Sequence, residues 1–153
     1  MQITSKFTIA VHTLLCINRF SNETKVTSNF IANSVNVNPV IIRNILGELK
    51  SADLVNVEAG VGGATIKKEL SKITLLDVFN AVNSLDGNLF SFHDNPNKEC
   101  PVGNNIHNIL DKRLDVAQKA MENELSKVTL QMLVDDLEKA ENDNMNNFIN
   151  NFI

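Results

Sequence analysis

The fold of this chain is decided by residues 27–70, TSNFIANSVNVNPVIIRNILGELKSADLVNVEAGVGGATIKKEL. Thr27 and Ser28 are residue types that cap helices. Asn38 followed by Pro39 is a second helix start, because proline at the first helical position loses no hydrogen bond. Beyond it, apolar residues recur at helical spacing on one face, at Ile42, Ile45, Leu46 and Leu49. The pattern predicts two helices joined by a tight turn near Asn36.

The hydrophobic period changes after Asp53. Leu54, Val55 and Val57 predict a strand, the glycines at 60, 62 and 63 predict a turn, and the residues up to Lys68 predict a returning strand. A helix-turn-helix followed by a basic hairpin is typical of a winged helix, in which the second helix enters the major groove of DNA. The alternative is a winged-helix module that binds proteins and not DNA.

Helical spacing of apolar residues predicts further helices on both sides of this stretch. One covers Ser5–Phe20, another begins at Thr74, a long one covers 104–127 and a last one covers 129–140. The long helix carries an apolar stripe too extensive to bury on a small winged helix, so we expect a homodimer in which two copies pack together. The alternative is a monomer in which this helix folds back on its own chain.

The expected fold is therefore mainly α with a small β-hairpin. We expect a winged helix-turn-helix DNA-binding domain over 1–85 and a sensing or connecting loop over 86–103. Dimerisation helices are expected over 104–141, followed by a frayed, asparagine-rich tail over 142–153.

The charge of the chain is divided unequally along its length. Residues 1–72 carry a net charge of +3 and residues 73–153 a net charge of −7, which gives the total of −4. The basic charge lies on the predicted winged helix, so the acidic second half does not exclude nucleic-acid binding.

No apolar run is long enough for a membrane span, and two distant cysteines do not form a secreted disulfide framework. We expect a cytoplasmic protein that does not bind membranes.

Double-stranded DNA is the expected partner, and the candidate contacts lie on the second helix, beside it and on the hairpin. Arg43 suits a base or phosphate contact in the major groove, and Val40 suits a thymine methyl group. The full set is Ser28, Asn36, Asn38, Val40, Arg43, Asn44, Lys50, Gly62, Gly63, Thr65 and Lys67. A two-fold dimer predicts a palindromic operator with half-sites about 34 Å apart or a multiple of that distance.

Cys100 is the candidate sensor residue. If Pro101 opens the long helix, Cys100 occupies the cap, where free N–H groups and the helix dipole lower the pKa of a thiol. A cysteine that only caps the helix or packs at the dimer interface is the alternative. His93, Glu99 and His107 lie near it in sequence, but their spacing matches no metal motif, and one thiolate does not hold an iron–sulfur cluster. We expect no cofactor and no metal, and the effector stays unknown.

Motifs of enzymatic chemistry are missing from the sequence. There is no phosphate-binding glycine loop with its lysine, no paired acid and base, and no nucleophile elbow. We therefore expect no enzyme, with a thiol-based redox protein as the alternative.

Three segments resemble the Rrf-type bacterial winged-helix regulators, whose best-known members are IscR and CymR. They are VNPVIIRNILGELKSADLV, AGVGGATIKKEL and ITLLDVFNAV, and two more, HDNPNKECPVGNNI and MENELSKVTL, resemble the single-cysteine YwnA-like subgroup. The resemblance implies a homodimer that binds a pseudo-palindromic operator, usually as a repressor, with the loop before the long helix as the sensing region. IscR-like members carry three cysteines in this loop, whereas here there is only Cys100, so cluster binding is not implied.

Overall fold

The computed structural model describes residues 4–58, 62–82 and 88–152, with side chains up to Met145. These residues form six α-helices and one two-stranded antiparallel hairpin. The helices are α1 (Ser5–Phe20), α2 (Ser28–Val35), α3 (Pro39–Ser51), α4 (Leu75–Val82), α5 (Pro101–Lys127) and α6 (Leu130–Phe152), and the strands are β1 (Val55–Val57) and β2 (Ala64–Ile66). The predicted fold class is confirmed.

The helix-turn-helix is formed by α2 and α3. The side chain of Thr27 accepts a hydrogen bond from the backbone N–H of Phe30, and that of Asn38 accepts one from Val40. Between the two helices Asn36 has a φ of 66°, a left-handed conformation that asparagine tolerates better than most residues. The two predicted caps and the turn are therefore present.

The core lies between the first four helices and the hairpin. The apolar face predicted for α3 is buried, and it packs against α1, α2 and α4. The largest fully buried side chains include Leu14 and Ile17 of α1, Ile31 of α2, and Ile42 and Leu49 of α3.

The hairpin pairs Val55 with Ile66 and Val57 with Ala64. Val55 and Ala64 point into the core, whereas Asn56 and Thr65 point outward. The predicted turn glycine at 60 lies outside the described residues. Gly62 and Gly63 have φ values of 69° and 115°, which favour glycine at both positions.

The C-terminal helices are attached at the start of α4. Thr74 caps α4 reciprocally with Asp77, and it also forms a bridge with Thr129. The backbone N–H of Leu130 donates to the carbonyl of Ile73 over 2.7 Å, and the N–H of Leu75 donates to the carbonyl of Val128 over 2.9 Å. The start of α6 is thereby fixed to the core, whereas no residue of α5 is fully buried.

The loop of residues 88–100 runs back along α5. The N–H of Leu89 donates to the side chain of Gln118, and the ring of His93 lies 5.4 Å from the ring of His107. At the end of this loop the first turn of α5 packs tightly. A Cβ atom on Gly103 would lie 2.2 Å from the backbone oxygen of Asn97.

Two of the expected boundaries differ from those in the structure. The loop was expected to reach residue 103, but α5 begins at Pro101, since the fixed φ of proline suits the first helical position. The last helix was expected to end at residue 140 and to be followed by a frayed tail, but α6 continues to Phe152. No glycine or proline interrupts residues 130–152, so no residue of that type stops α6 before Phe152. The side chains of Phe148, Ile149 and Phe152, and all of Ile153, lie outside the described residues.

Two helical glycines give opposite expectations for substitution by alanine. Gly47 in α3 has no atom within 4 Å of the added Cβ, so Gly47→Ala is expected to raise the free energy of unfolding by about 1 kcal/mol. Gly103→Ala is expected to lower it by about 1 kcal/mol or more, because the Asn97 backbone must move. Urea unfolding measures the free energy of unfolding of both variants. Changes of the same sign in the two variants would contradict this prediction.

Candidate nucleic-acid interface

A cleft of about 460 Å³ lies between α3, the start of α2 and the hairpin. Five of the predicted DNA contacts line this cleft. They are Ser28, Arg43, Lys50, Gly62 and Gly63. The fold thus brings together residues that are up to 35 positions apart in the chain.

Two cations of α3 point into this cleft from the same side of the helix. Arg43, Gly47 and Lys50 follow one another at helical spacing, and all three are exposed. Within the described part of the chain, neither Arg43 nor Lys50 takes part in an ion pair. Both charges are therefore available to an anionic partner.

The start of α2 forms another wall of the cleft. The first N–H groups of a helix have no partner within it, and the helix dipole places partial positive charge there. A Cβ atom on Gly62 would lie 3.3 Å from the Cγ2 atom of Thr27, so Gly62 packs close to this helix end. The arrangement suits a phosphate group between hairpin and helix.

Other predicted contacts lie outside the cleft, although most are exposed. Val40 is 52% exposed near the start of α3, next to Asn38, whose side chain is engaged in the cap. Asn44 lines a different depression on α3, together with Lys6 and Glu48, which form an ion pair. Asn36 is exposed in the turn and Thr65 is exposed on β2.

Lys67 is placed differently from the other predicted wing residues. Its ammonium group donates to Asp53 over 2.8 Å, at the end of the hairpin that is distant from the glycine turn. The hydrogen bond and the charge of Lys67 lower the pKa of the Asp53 carboxyl below its usual range. The charge of Lys67 is thus already balanced within the chain.

The structure adds three residues to this surface that the sequence did not single out. Gly47 lies between the two cations of α3, and Lys25 lies beside the hairpin, with its Cβ atom 3.7 Å from the position of a Cβ on Gly63. Glu58 also lines the cleft, where its carboxylate reduces the positive potential. Gly47 follows the helical spacing of Arg43 and Lys50, whereas Lys25 and Glu58 come close to this surface only because the hairpin docks beside α2.

Cys100 occupies the N-cap of α5, as predicted, and it is exposed. Its side chain makes no hydrogen bond of regular capping geometry. The backbone N–H groups of Gly103 and Val102 nevertheless face the sulfur, and they lower the pKa of the thiol below its usual range. Cys16, in contrast, is buried in α1.

The described residues contain no group of three His, Cys, Asp or Glu side chains that could hold a metal ion. In the same ranges, no helix is long and apolar enough to cross a membrane.

Comparisons with known proteins agree with this geometry. The model of the Rrf2 family, described as an iron-dependent transcriptional regulator, matches residues 3–136. YwnA of Bacillus subtilis (strain 168), named as a candidate HTH-type transcriptional regulator, is 43% identical over 135 residues, which are 88% of this chain and 98% of YwnA.

Solved structures of other proteins are also similar to this chain. The crystal structure of a candidate DNA-binding protein is 41% identical and has a TM-score of 0.67, with 83% of this chain and 97% of that one covered. IscR of T. potens has a TM-score of 0.66 at 20% identity, covering 92% of this chain and 90% of IscR, and it supports the fold alone. The described residues do not fit the iron named in the family description, since Cys16 and Cys100 lie on different elements and no three candidate ligands converge.

The two cysteines are expected to differ in their reactivity towards iodoacetamide. At neutral pH Cys100 is expected to be alkylated several-fold faster than a free cysteine, because its pKa is lowered and its sulfur is exposed. Cys16 is expected to react more slowly, because it is buried in α1. Peptide mass spectrometry over a pH series measures both rates, with Cys100→Ser as the control, and equal rates for the two thiols would contradict this prediction.

Proposed function

Because this chain belongs to the Rrf2 family of transcriptional regulators, we propose that it binds a palindromic DNA operator as a homodimer and represses transcription. The observation that carries the proposal is the cleft between α3 and the hairpin, where Arg43 and Lys50 are free of ion pairs among the described residues. A regulator of this kind works in the cytoplasm, where its operator lies, and needs no catalytic group.

The position of α3 supports its role as the reading helix. Four of its residues are buried in the core, so its opposite face is fixed towards the outside. Arg43 can form two parallel hydrogen bonds with a guanine, and Val40 and Asn44 lie on the same outward side. Ser28 and Lys50 are proposed to hold phosphates, and the glycine turn is proposed to reach the adjoining groove.

The α5 helix supports the proposed dimer. It is 27 residues long and has no fully buried residue. Val102, Ile109 and Val116 recur at intervals of seven residues and are 66%, 59% and 67% exposed, and Leu110 lies beside them. A second copy of the same helix would cover this apolar face at heptad spacing.

Cys100 supports a proposed response to thiol oxidation. Its lowered pKa and its exposure at the start of the proposed dimer helix are the properties expected of a thiol sensor. Operator binding that is abolished by peroxide in the wild type and retained in Cys100→Ser would support this role.

Replacing Arg43 is expected to weaken operator binding. Arg43→Ala should reduce affinity about 5- to 150-fold, about 1 to 3 kcal/mol, because a bidentate base contact is lost. Fluorescence anisotropy at fixed salt, with DNA from the upstream region of the gene, measures the change. Lys139→Ala on the exposed surface of α6 is the control and should bind as the wild type does.

Either of two results would contradict the proposal. An unchanged affinity of Arg43→Ala would remove this residue from the interface. Binding that is absent in the wild type, or that does not weaken with increasing salt, would favour a protein-interaction module instead.

The proposed dimer is expected to depend on α5. The double variant Ile109→Asp and Val116→Asp should sediment as a monomer, because it places two charges within the apolar face. Met132→Asp is the control, since Met132 is also exposed but lies on α6. Analytical ultracentrifugation distinguishes the states, and a double variant that remains dimeric would place the interface elsewhere.

A further inference from the structure

We propose that a cavity between α1, α2 and α6 binds a small uncharged aromatic molecule, and that this ligand controls the affinity for the operator. The site is separate from the cleft at α3 and from Cys100. Its regulatory role rests on the proposed function, whereas ligand binding itself does not.

The cavity has the size of a ligand site. Its volume is about 420 Å³, and small-molecule sites in proteins usually measure about 300 to 1,000 Å³. Its walls are mostly apolar, with Val11, Leu15 and Phe20 from α1 facing Leu137 from α6. An aromatic molecule would remove this apolar surface from water.

One end of the cavity carries a row of polar groups. The thiol of Cys16 donates to the hydroxyl oxygen of Ser34 over 3.3 Å, and this oxygen lies 2.9 Å from the Nε2 atom of His12. The three residues come from two different helices, and all of them line the cavity. A hydroxyl, carbonyl or amine group of a ligand can hydrogen-bond to this row, which fixes its orientation.

The charges at the other end disfavour an anionic ligand. The guanidinium of Arg19 is bound by two carboxylates, that of Glu141 at 3.0 Å and that of Glu23 at 3.2 Å. Arg19 is thus already paired, and no other arginine or lysine lines the cavity, so it offers no unpaired arginine or lysine to a carboxylate or phosphate. Arg19 also lies 5.1 Å from the centre of the Phe20 ring, so an aromatic surface is already present beside the charges.

The position of the cavity connects ligand binding to DNA reading. Arg19 and Glu141 join α1 of the winged helix to α6, and the cavity lies directly beside this ion pair. Ser34 lies two residues before Asn36, where the chain turns into α3. A ligand that contacts α1, α2 and α6 together stabilises one arrangement of these helices, and it shifts operator affinity if the DNA complex requires another.

The uncharged dye N-phenyl-1-naphthylamine is a suitable probe, because it fluoresces in apolar surroundings and the protein has no Trp or Tyr. We expect saturable fluorescence with the wild type. Leu137→Trp fills the cavity from α6 and Val11→Trp fills it from α1, so each should weaken binding at least tenfold. Met132→Trp, on the exposed surface of the same α6, is the matched control and should leave binding unchanged. Thermal unfolding shows whether each variant is folded. Because the two substitutions fill the cavity from opposite walls, the test needs only one of them to fold.

The second measurement is operator affinity with and without saturating dye. A change of at least threefold in the wild type, absent in the blocked variants, supports the regulatory role. Dye binding that is equally strong in both blocked variants, or absent in the wild type, overturns the cavity site. Dye binding with unchanged operator affinity overturns the regulatory role. A protein that binds the dye but no operator supports the cavity and rejects the proposed function.

Discussion

The proposed DNA-facing side of this molecule depends on the burial of one face of α3. Ile42, Ile45, Leu46 and Leu49 are buried among the neighbouring helices, and burial of each such side chain contributes about 1.5 to 3 kcal/mol. A helix fixed in this way cannot rotate about its axis without exposing apolar surface. The outward direction of Arg43 and Lys50 is therefore a consequence of core packing, and the cleft needs no separate structural support.

A second constraint sets the relation between the two halves of the chain. The C-terminal half is attached where the ends of α4, α5 and α6 meet, through the backbone hydrogen bonds of Leu75 and Leu130 and the bridge between Thr74 and Thr129. Away from this point α5 shares little buried surface with the winged helix, whereas α6 returns to α1 and closes the ion pair between Arg19 and Glu141. The ion pair between Arg19 and Glu141 is thus a second, polar link between the two halves, and the proposed ligand cavity lies beside it.

Features that depend on neighbouring residues could be predicted from the sequence. The caps at Thr27 and Asn38, the buried face of α3 and the strands on both sides of the glycines follow from local pattern, and each is present in the structure. Features that depend on distant pairs could not be predicted. The pairing of Lys67 with Asp53, the approach of Lys25 to the hairpin and the row of His12, Ser34 and Cys16 each join separate elements. The length of α6 was underestimated because its asparagines were interpreted as a loop signal, although helices tolerate them in the absence of glycine and proline.

The unbroken length of α5 has a geometric consequence for the assembly. At a rise of 1.5 Å per residue, its 27 residues span about 40 Å, close to one turn of B-form DNA. In a dimer built along this helix, the distance between the two reading helices is set by a rigid rod rather than by a flexible linker. Each residue added to such a rod turns everything beyond it by about 100°. In the proposed dimer, the length of the helix therefore also sets the angular phase of the two subunits, so an insertion in this segment would change which operators fit without changing the reading helix.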